Sequence, residues 1–202
     1  MQISKFLYLL WLIFFLSNCD GPKVIVSEPS AEEKARVEAL GEPAALKLME
    51  TLKTALAEAI REGGVENAIS VCNTKARSLT SSIAEEAENI PEVKRTSFKF
   101  RNPANAPDSL EKKALRFFEN ALRQDGELPS LLVQKIEAPE GVHFRYYKPM
   151  KAAGLCLTCH GDSEIIAENV KVHLSEHYPK DRAIGYQVGD FRGVIRVSVR
   201  NP

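Results

Sequence analysis

The chain has 202 residues, in which 27 Lys and Arg balance 27 Asp and Glu, and such neutrality gives no support to nucleic-acid binding or to a partner steered by strong charge. The length suits one domain around a single core. No internal repeat or low-complexity tract suggests a solenoid or a disordered polymer.

The first element reads as an export signal. Lys5 supplies a short positive region, and residues 6–16 form an unbroken apolar run. Eleven residues at about 1.5 Å per residue fall well short of a hydrocarbon core of about 30 Å. The run leads into Leu16-Ser17-Asn18-Cys19, which resembles a bacterial lipoprotein signal whose cysteine becomes the lipidated first residue. Asn18 departs from the usual Gly, Ala or Ser, and an ordinary cleaved signal is the alternative. On either reading residues 1–18 are a signal peptide and the folded part lies outside the cytoplasm. Lipidation at Cys19 would tether it on the periplasmic side of a bacterial membrane, inner or outer. Loss of residues 1–18 removes Lys5 alone among the charged residues, leaving a net charge of about −1.

Residues 20–30 carry two prolines and no helical period, so they read as a tether. A charged helical segment over residues 31–40 is expected to stop at Gly41-Glu42-Pro43, which sets the organisation as signal 1–18, tether and leading helix 19–43, and domain 44–202. A longer helix over 44–61 places Leu48, Leu52 and Leu56 on one face and ends at Gly63-Gly64. The next, over 65–88, repeats Val65, Ile69, Cys72, Ala76, Leu79 and Ile83 at alternating spacings of four and three. That pattern puts Cys72 within a buried stripe, where a lone thiol is most simply a small core residue.

Beyond Pro91 the pattern changes. Residues 96–101 alternate as a short strand, and 102–107 are too rich in proline to be regular. Asp108 caps a helix over 109–124 with Glu111 at the capping-box position, and Gly126 stops it. Residues 131–138 and 142–148 alternate around Pro139-Glu140-Gly141 as an antiparallel hairpin. A short helix is expected over 164–176, and a final hairpin pairs 184–188 with 194–199. The fold class is therefore α+β, with amino-terminal helices packed on an antiparallel sheet of four or five strands.

Cys156-Leu157-Thr158-Cys159-His160 follows the predicted hairpin. Cys-x-x-Cys-His is the attachment pattern of c-type haem: two thiols three positions apart each add to one vinyl group, and the adjacent imidazole reaches the iron. Random placement of 4 Cys and 4 His would give about 0.002 such pentapeptides per chain. A thioredoxin-like pair would open a helix within a βαβ unit, and none is readable here. Zinc would need two further ligands, and there is no second Cys-x-x-Cys. A local disulfide is the remaining competitor. With Cys19 given to lipid and Cys156 and Cys159 to one covalent haem, Cys72 stands alone and no disulfide framework remains.

Several blocks together resemble a known family. They are Val71-Cys72-Asn73, Arg101-Asn102-Pro103-Ala104-Asn105, Tyr146-Tyr147-Lys148-Pro149 leading to the Cys156 pentapeptide and Gly161, and Tyr178-Pro179-x-Asp181-x-Ala183-x-Gly185-Tyr186 running on to Gly189-Asp190-x-Arg192-Gly193. They are similar to the small c-type haem domains with a PAS-like fold, found alone or as extracytoplasmic sensing modules and largely uncharacterised. The resemblance spans about residues 44–199. It implies that His160 and a cysteine thiolate are the two axial ligands of the iron, and Cys72 is the matching cysteine. A thiolate donates strongly and would favour ferric iron, giving a low reduction potential.

Other candidates were weighed against that pair. Met49 and Met150 would give a higher-potential haem, and His143 is most simply a solvated strand residue. His173 and His177, four apart on a helix, have a metal-capable spacing without evident support. Arg101 and Lys148 are candidates for the haem propionates, with ordinary surface charge the simpler account. The expected function is an exported, membrane-tethered single-haem cytochrome in electron transfer or in redox or gas sensing. The alternatives are a sensory module signalling through a separate partner and, less favoured, a zinc or dithiol protein. An ending at Pro202 with no kinase or cyclase tilts the expectation towards electron transfer, and two strong axial ligands argue against an enzyme.

Overall fold

The computed structural model of the chain describes residues 24–200 and residue 202; the expected signal peptide, residues 1–18, and Cys19 lie outside the described residues. The architecture is α+β. Five strands form one antiparallel sheet in the order β1-β3-β4-β5-β2: β1 Ile25–Ser27, β2 Glu92–Thr96, β3 Leu132–Ala138, β4 Gly141–Lys151 and β5 Phe191–Val199. Helix α1, Ala31–Glu85, covers one face, and α2, Ser109–Asp125, covers the other. Two short helices, α3 Leu157–His160 and α4 Glu168–His177, lie in the connection between β4 and β5.

Strand alternation divides the core between the two faces. Phe144 and Tyr146 of β4, with Ile195, Val197 and Val199 of β5, pack on Val37, Ala44, Ala45 and Leu48 of α1. Their neighbours Tyr147 and Val194 turn the other way, onto Ala114, Leu115 and Phe118 of α2. The Tyr147 hydroxyl donates to Gln134 Oε1 at 2.9 Å, so its buried polar tip is satisfied.

The segment read as a tether begins the sheet. Ile25–Ser27 pairs with Lys135–Glu137 of β3, and Ser30 then starts α1 through a capping box, its Oγ accepting from Glu33 N at 3.2 Å and its own N–H donating to Glu33 at 2.8 Å. Nor does a helix end at Gly41-Glu42-Pro43. Gly41 is a packing residue, since an added Cβ would lie 2.4 Å from the Tyr146 ring. Glu42 accepts from the Tyr146 hydroxyl and, at 2.6 Å, from Lys148. Pro43 leaves the carbonyl four residues back without its donor, and that residue, Ala39, is exposed, so water supplies one. The leading helix therefore belongs to the same packed unit as the residues after it.

Gly63 and Gly64 do break α1. Gly64 has φ +75° and ψ −170°, a conformation open only to glycine, and Asn67 Nδ2 donates across the break to Ala59 O at 2.9 Å. Two other expected elements are displaced. The strand expected over 96–101 lies instead at 92–96 and ends at Thr96, opposite Val194 of β5; next to that pair Gly193, with φ +136° and a would-be Cβ 2.4 Å from Thr96 O, leaves room only for glycine. Residues 184–188 form no strand, since the N–H groups of Gly185 and Tyr186 donate to Gly161 O and His160 O, at 2.7 and 3.0 Å, instead of to a neighbouring strand. The short helix starts at Glu168, not 164, after a turn in which Ile165 N and Ile166 N donate to Asp162 O.

Glu111 joins α2 to the sheet. As the capping-box residue it accepts from Asp108 N at 2.9 Å, and although wholly buried it also pairs with Lys94 of β2 at 2.8 Å and Arg196 of β5 at 3.0 Å. Removing one member of such a group strands buried charge. Glu111→Ala is expected to cost about 3–5 kcal/mol in urea unfolding, far more than Glu119→Ala on the same helix.

Candidate haem-binding site

The pentapeptide occupies the end of the sheet nearest the break in α1. A 3-10 turn, Gly154–Cys156, runs directly into α3, so that Cys156 caps α3, Cys159 lies within it and His160 is its last residue. Helical spacing therefore sets the two thiols one turn apart. Gly161 must be small here, since a Cβ would sit 2.6 Å from Leu157 O.

The His160 ring is fixed from behind. Its Nδ1 lies 2.6 Å from Ala183 O, an arrangement that requires the proton on Nδ1 and leaves the Nε2 lone pair free for a metal. Burial and the nearby Arg101 and Arg192 cations hold the imidazole pKa well below its ordinary value, so the ring is neutral at physiological pH. The 181–186 segment that carries Ala183 is clamped in turn. Asp181 Oδ1 accepts from Ala183 N at 2.7 Å, and its other oxygen accepts from Arg101 Nε at 2.9 Å. Arg101 also donates through Nη2 to Cys159 O. One guanidinium thus ties the loop after β2, the helix bearing the thiols and the strap behind His160. Tyr186 stands edge-on to the His160 ring at 6.4 Å, between the Lys99 and Arg192 cations at 4.9 and 4.8 Å.

Cys72 reaches the same region from α1, beyond the glycine break. Within its apolar stripe Ile69, Ala76 and Ile83 are buried, whereas Cys72 is exposed; the expectation that it lies in the core is therefore corrected. The stripe is covered by α4 around Ile69 and by the sheet core around Ile83, and between them the protein leaves the thiol open. Enough protein stands close by that desolvation pushes the Cys72 thiol up, opposed by the positive charge of Arg95 and Arg101. Cys159 is raised by burial and by its proximity to Cys72, and Tyr178 is pushed up to about 12 by burial and by Cys72. Cys72, Cys159, Tyr178 and Arg101 therefore form one electrostatic neighbourhood. The Arg101 guanidinium lies 5.7 Å from the Tyr178 ring centre.

The remaining candidates separate clearly. Lys148 pairs with Glu42 and belongs to the α1 seam. Met49 and Met150 pack against the main core, and His143 sits opposite Ile136 on the β3–β4 hairpin. Arg95 and Arg192 are site residues that sequence reasoning missed. Arg95 was detectable in principle, because strand alternation puts it on the same face as buried Val93, where an unpaired cation is uncommon. Arg192 donates to Lys99 O at 3.1 Å, a contact between distant segments that no local pattern announces.

The donor set fits a covalently held haem. Two thiols one helical turn apart, a neutral imidazole with Nε2 free, a third sulfur on α1 and three arginines nearby would supply two tethers, two iron ligands and partners for the two negative propionates of that group.

The fold and these motifs define a class of small haem-type domains, and the comparisons agree. Residues 28–200 match the Tll0287-like family model, and the chain belongs to that family. A solved structure described as the cyanobacterial heme-protein Tll0287 is similar, with 27% sequence identity, a TM-score of 0.55, and coverage of 86% of this chain and 98% of that one. No curated protein matches the chain.

Arg101 generates a direct expectation. Arg101→Lys keeps the charge and loses the fork that reaches both Asp181 and Cys159 O. Both Arg101→Lys and Arg101→Ala should lower stability, the alanine variant by about 3 kcal/mol in urea unfolding, with the lysine variant recovering less than half of the loss.

Proposed function

We propose that the protein is an exported c-type cytochrome with one covalent haem, held through Cys156 and Cys159 and ligated by His160 and Cys72. The observation that carries this reading is the convergence of Cys72 and the pentapeptide on one basic neighbourhood, with His160 already oriented by Ala183. The similar protein Tll0287 is described as a heme-protein, which supports the same cofactor. When bound, haem supplies one-electron exchange between ferric and ferrous iron.

The chain's own residues define how that exchange would be tuned. Ala183 O holds the proton on His160 Nδ1 and strengthens the ring as a donor. Cys72 would contribute an anionic sulfur, which favours the ferric state and lowers the potential. Arg95, Arg101 and Arg192 offset this negative charge. An imidazole and a sulfur donor, both supplied by the chain, would suit electron transfer and would leave no open iron position for catalysis. A second reading, sensing of redox state or of a small gas, is favoured by one feature: Cys72 is exposed and anchored on the separate helical arm beyond Gly63 and Gly64, so a competing ligand has access to its position.

Full-length protein matured with the c-type machinery should retain its haem through acid–acetone extraction, and colour lost to the solvent would refute covalent attachment. Cys72→Ser should abolish the thiolate signature of the low-spin ferric electron paramagnetic resonance spectrum; an unchanged spectrum would eliminate Cys72 as the ligand. Carbon monoxide added to the reduced wild type separates the two roles, with negligible uptake expected for electron transfer and ready uptake for sensing.

Residues 1–19 support the location. An apolar run leading into Leu16-Ser17-Asn18-Cys19 would direct export and lipidation, and the haem would then lie beside a membrane, on the periplasmic side. Cys19→Ala should move the protein from the membrane fraction to the soluble extract, and continued anchoring would exclude Cys19 as the lipid site.

A further inference from the structure

Helix α4 carries a group of side chains for which the haem reading has no use. His173, Glu176 and His177 follow one another at i, i+3 and i+4, the spacing that stacks side chains over a single turn. One potential ligand atom from each lies within 4.8 Å of the others. The two rings are 6.3 Å apart between centres, and His173 Nδ1 is 3.7 Å from Glu176 Oε2.

His177 is oriented for coordination. Its Nδ1 donates to His173 O at 2.9 Å, which fixes the tautomer and leaves the Nε2 lone pair to face Ser70 Oγ across the seam with α1, at a long 3.4 Å. A backbone acceptor behind a ligating imidazole is the usual outer support of a metal-bound histidine. The helix itself is held in place, because Val170 and Leu174 are buried against Ile69 of α1 and Asn169 donates to Glu66. His173 and Glu176 stand on the open side and can adjust by rotation about their side-chain bonds. A tetrahedral ion with bonds of about 2.0–2.2 Å needs donor atoms roughly 3.3–3.6 Å apart, somewhat closer than the 4.8 Å within which they lie here.

We propose that His173, Glu176 and His177 form a second metal site, separate from the pentapeptide, that takes one borderline divalent transition ion of the zinc type. Two imidazoles and one carboxylate suit zinc or copper. Calcium and magnesium prefer oxygen-only surroundings. The order His-x-x-Glu-His is also a spacing by which one group of zinc enzymes places its metal-binding helix, although the proposal concerns binding alone. The site lies directly before Tyr178 and against Ser70, two residues from Cys72, so an ion there would adjoin the helical arm that carries the cysteine. The proposal does not depend on how Cys72 is used.

The test is zinc titration of the full-length, haem-loaded protein without a histidine tag, in competition with a zinc-responsive dye. The expected result is one zinc per chain beyond the haem iron, not displaced by excess calcium or magnesium. His173→Ala and His177→Ala should each weaken binding by about tenfold or more, and His143→Ala, on the β3–β4 hairpin opposite Ile136, should leave it unchanged. Should His177→Ala disturb the α1–α4 seam, shown by an altered circular dichroism spectrum, the His173→Ala variant decides alone. No zinc uptake by the wild type, equal uptake by the wild type and His173→Ala, or uptake lost in His143→Ala would overturn the proposal.

Discussion

The candidate site depends on the Arg101 guanidinium and the three things it holds. Asp181 on one side and Cys159 O on the other bring the loop after β2, the helix with the two thiols and the strap behind His160 into one assembly. Without that fork the strap has little secondary structure of its own, since residues 181–186 belong to no helix or strand. Its order comes from donating Gly185 N and Tyr186 N to the pentapeptide backbone and from the Asp181 clamp. A largely buried ion pair is a costly way to fix a loop; here it holds the strap whose Ala183 O orients the His160 ring.

The sheet and its two helical covers provide the rigid side of this arrangement. Glu111 locks α2 to β2 and β5 through Lys94 and Arg196, on the face opposite α1. The site itself occupies the end of the sheet, where β2 and β5 separate at Gly193 and the chain leaves regular structure. Cys72 belongs to a more independent element. The break at Gly63 and Gly64 lets residues 65–85 depart from the line of the preceding helix, and the apolar stripe of that arm is divided between α4 and the sheet core. The thiol lies between these two contacts, open to whatever approaches the pentapeptide. The same arm carries Ser70 at the edge of the His173, Glu176 and His177 group, so two distinct donor sets share one support.

Local chemistry was legible wherever the cause of structure was local. The capping box at Asp108 and Glu111, the glycine stop at Gly126, the β3–β4 hairpin and the break at Gly63 all follow from residues a few positions apart. Expectation failed where a distant partner decided the outcome. Gly41-Glu42-Pro43 resembles a helix stop, yet Tyr146 and Lys148 capture Gly41 and Glu42 within a continuing helix. Residues 184–188 alternate like a strand, yet their donors are committed to the pentapeptide. Residues 25–27 look like linker because three residues cannot show a pairing that depends on β3.

By itself the sequence determined the spacing of the pentapeptide: two thiols and an imidazole in fixed covalent order need no tertiary context, since α3 spaces them wherever it lies. Family resemblance made Cys72 a candidate ligand, whereas its helical period alone would have placed it in the core. Only the tertiary structure decided that this thiol is exposed beside Cys159, that Ala183 orients His160, and that Arg95, Arg101 and Arg192 gather around them. The physical reason is that periodicity records how apolar a helix face is, whereas burial and charge depend on which distant segments fold against it.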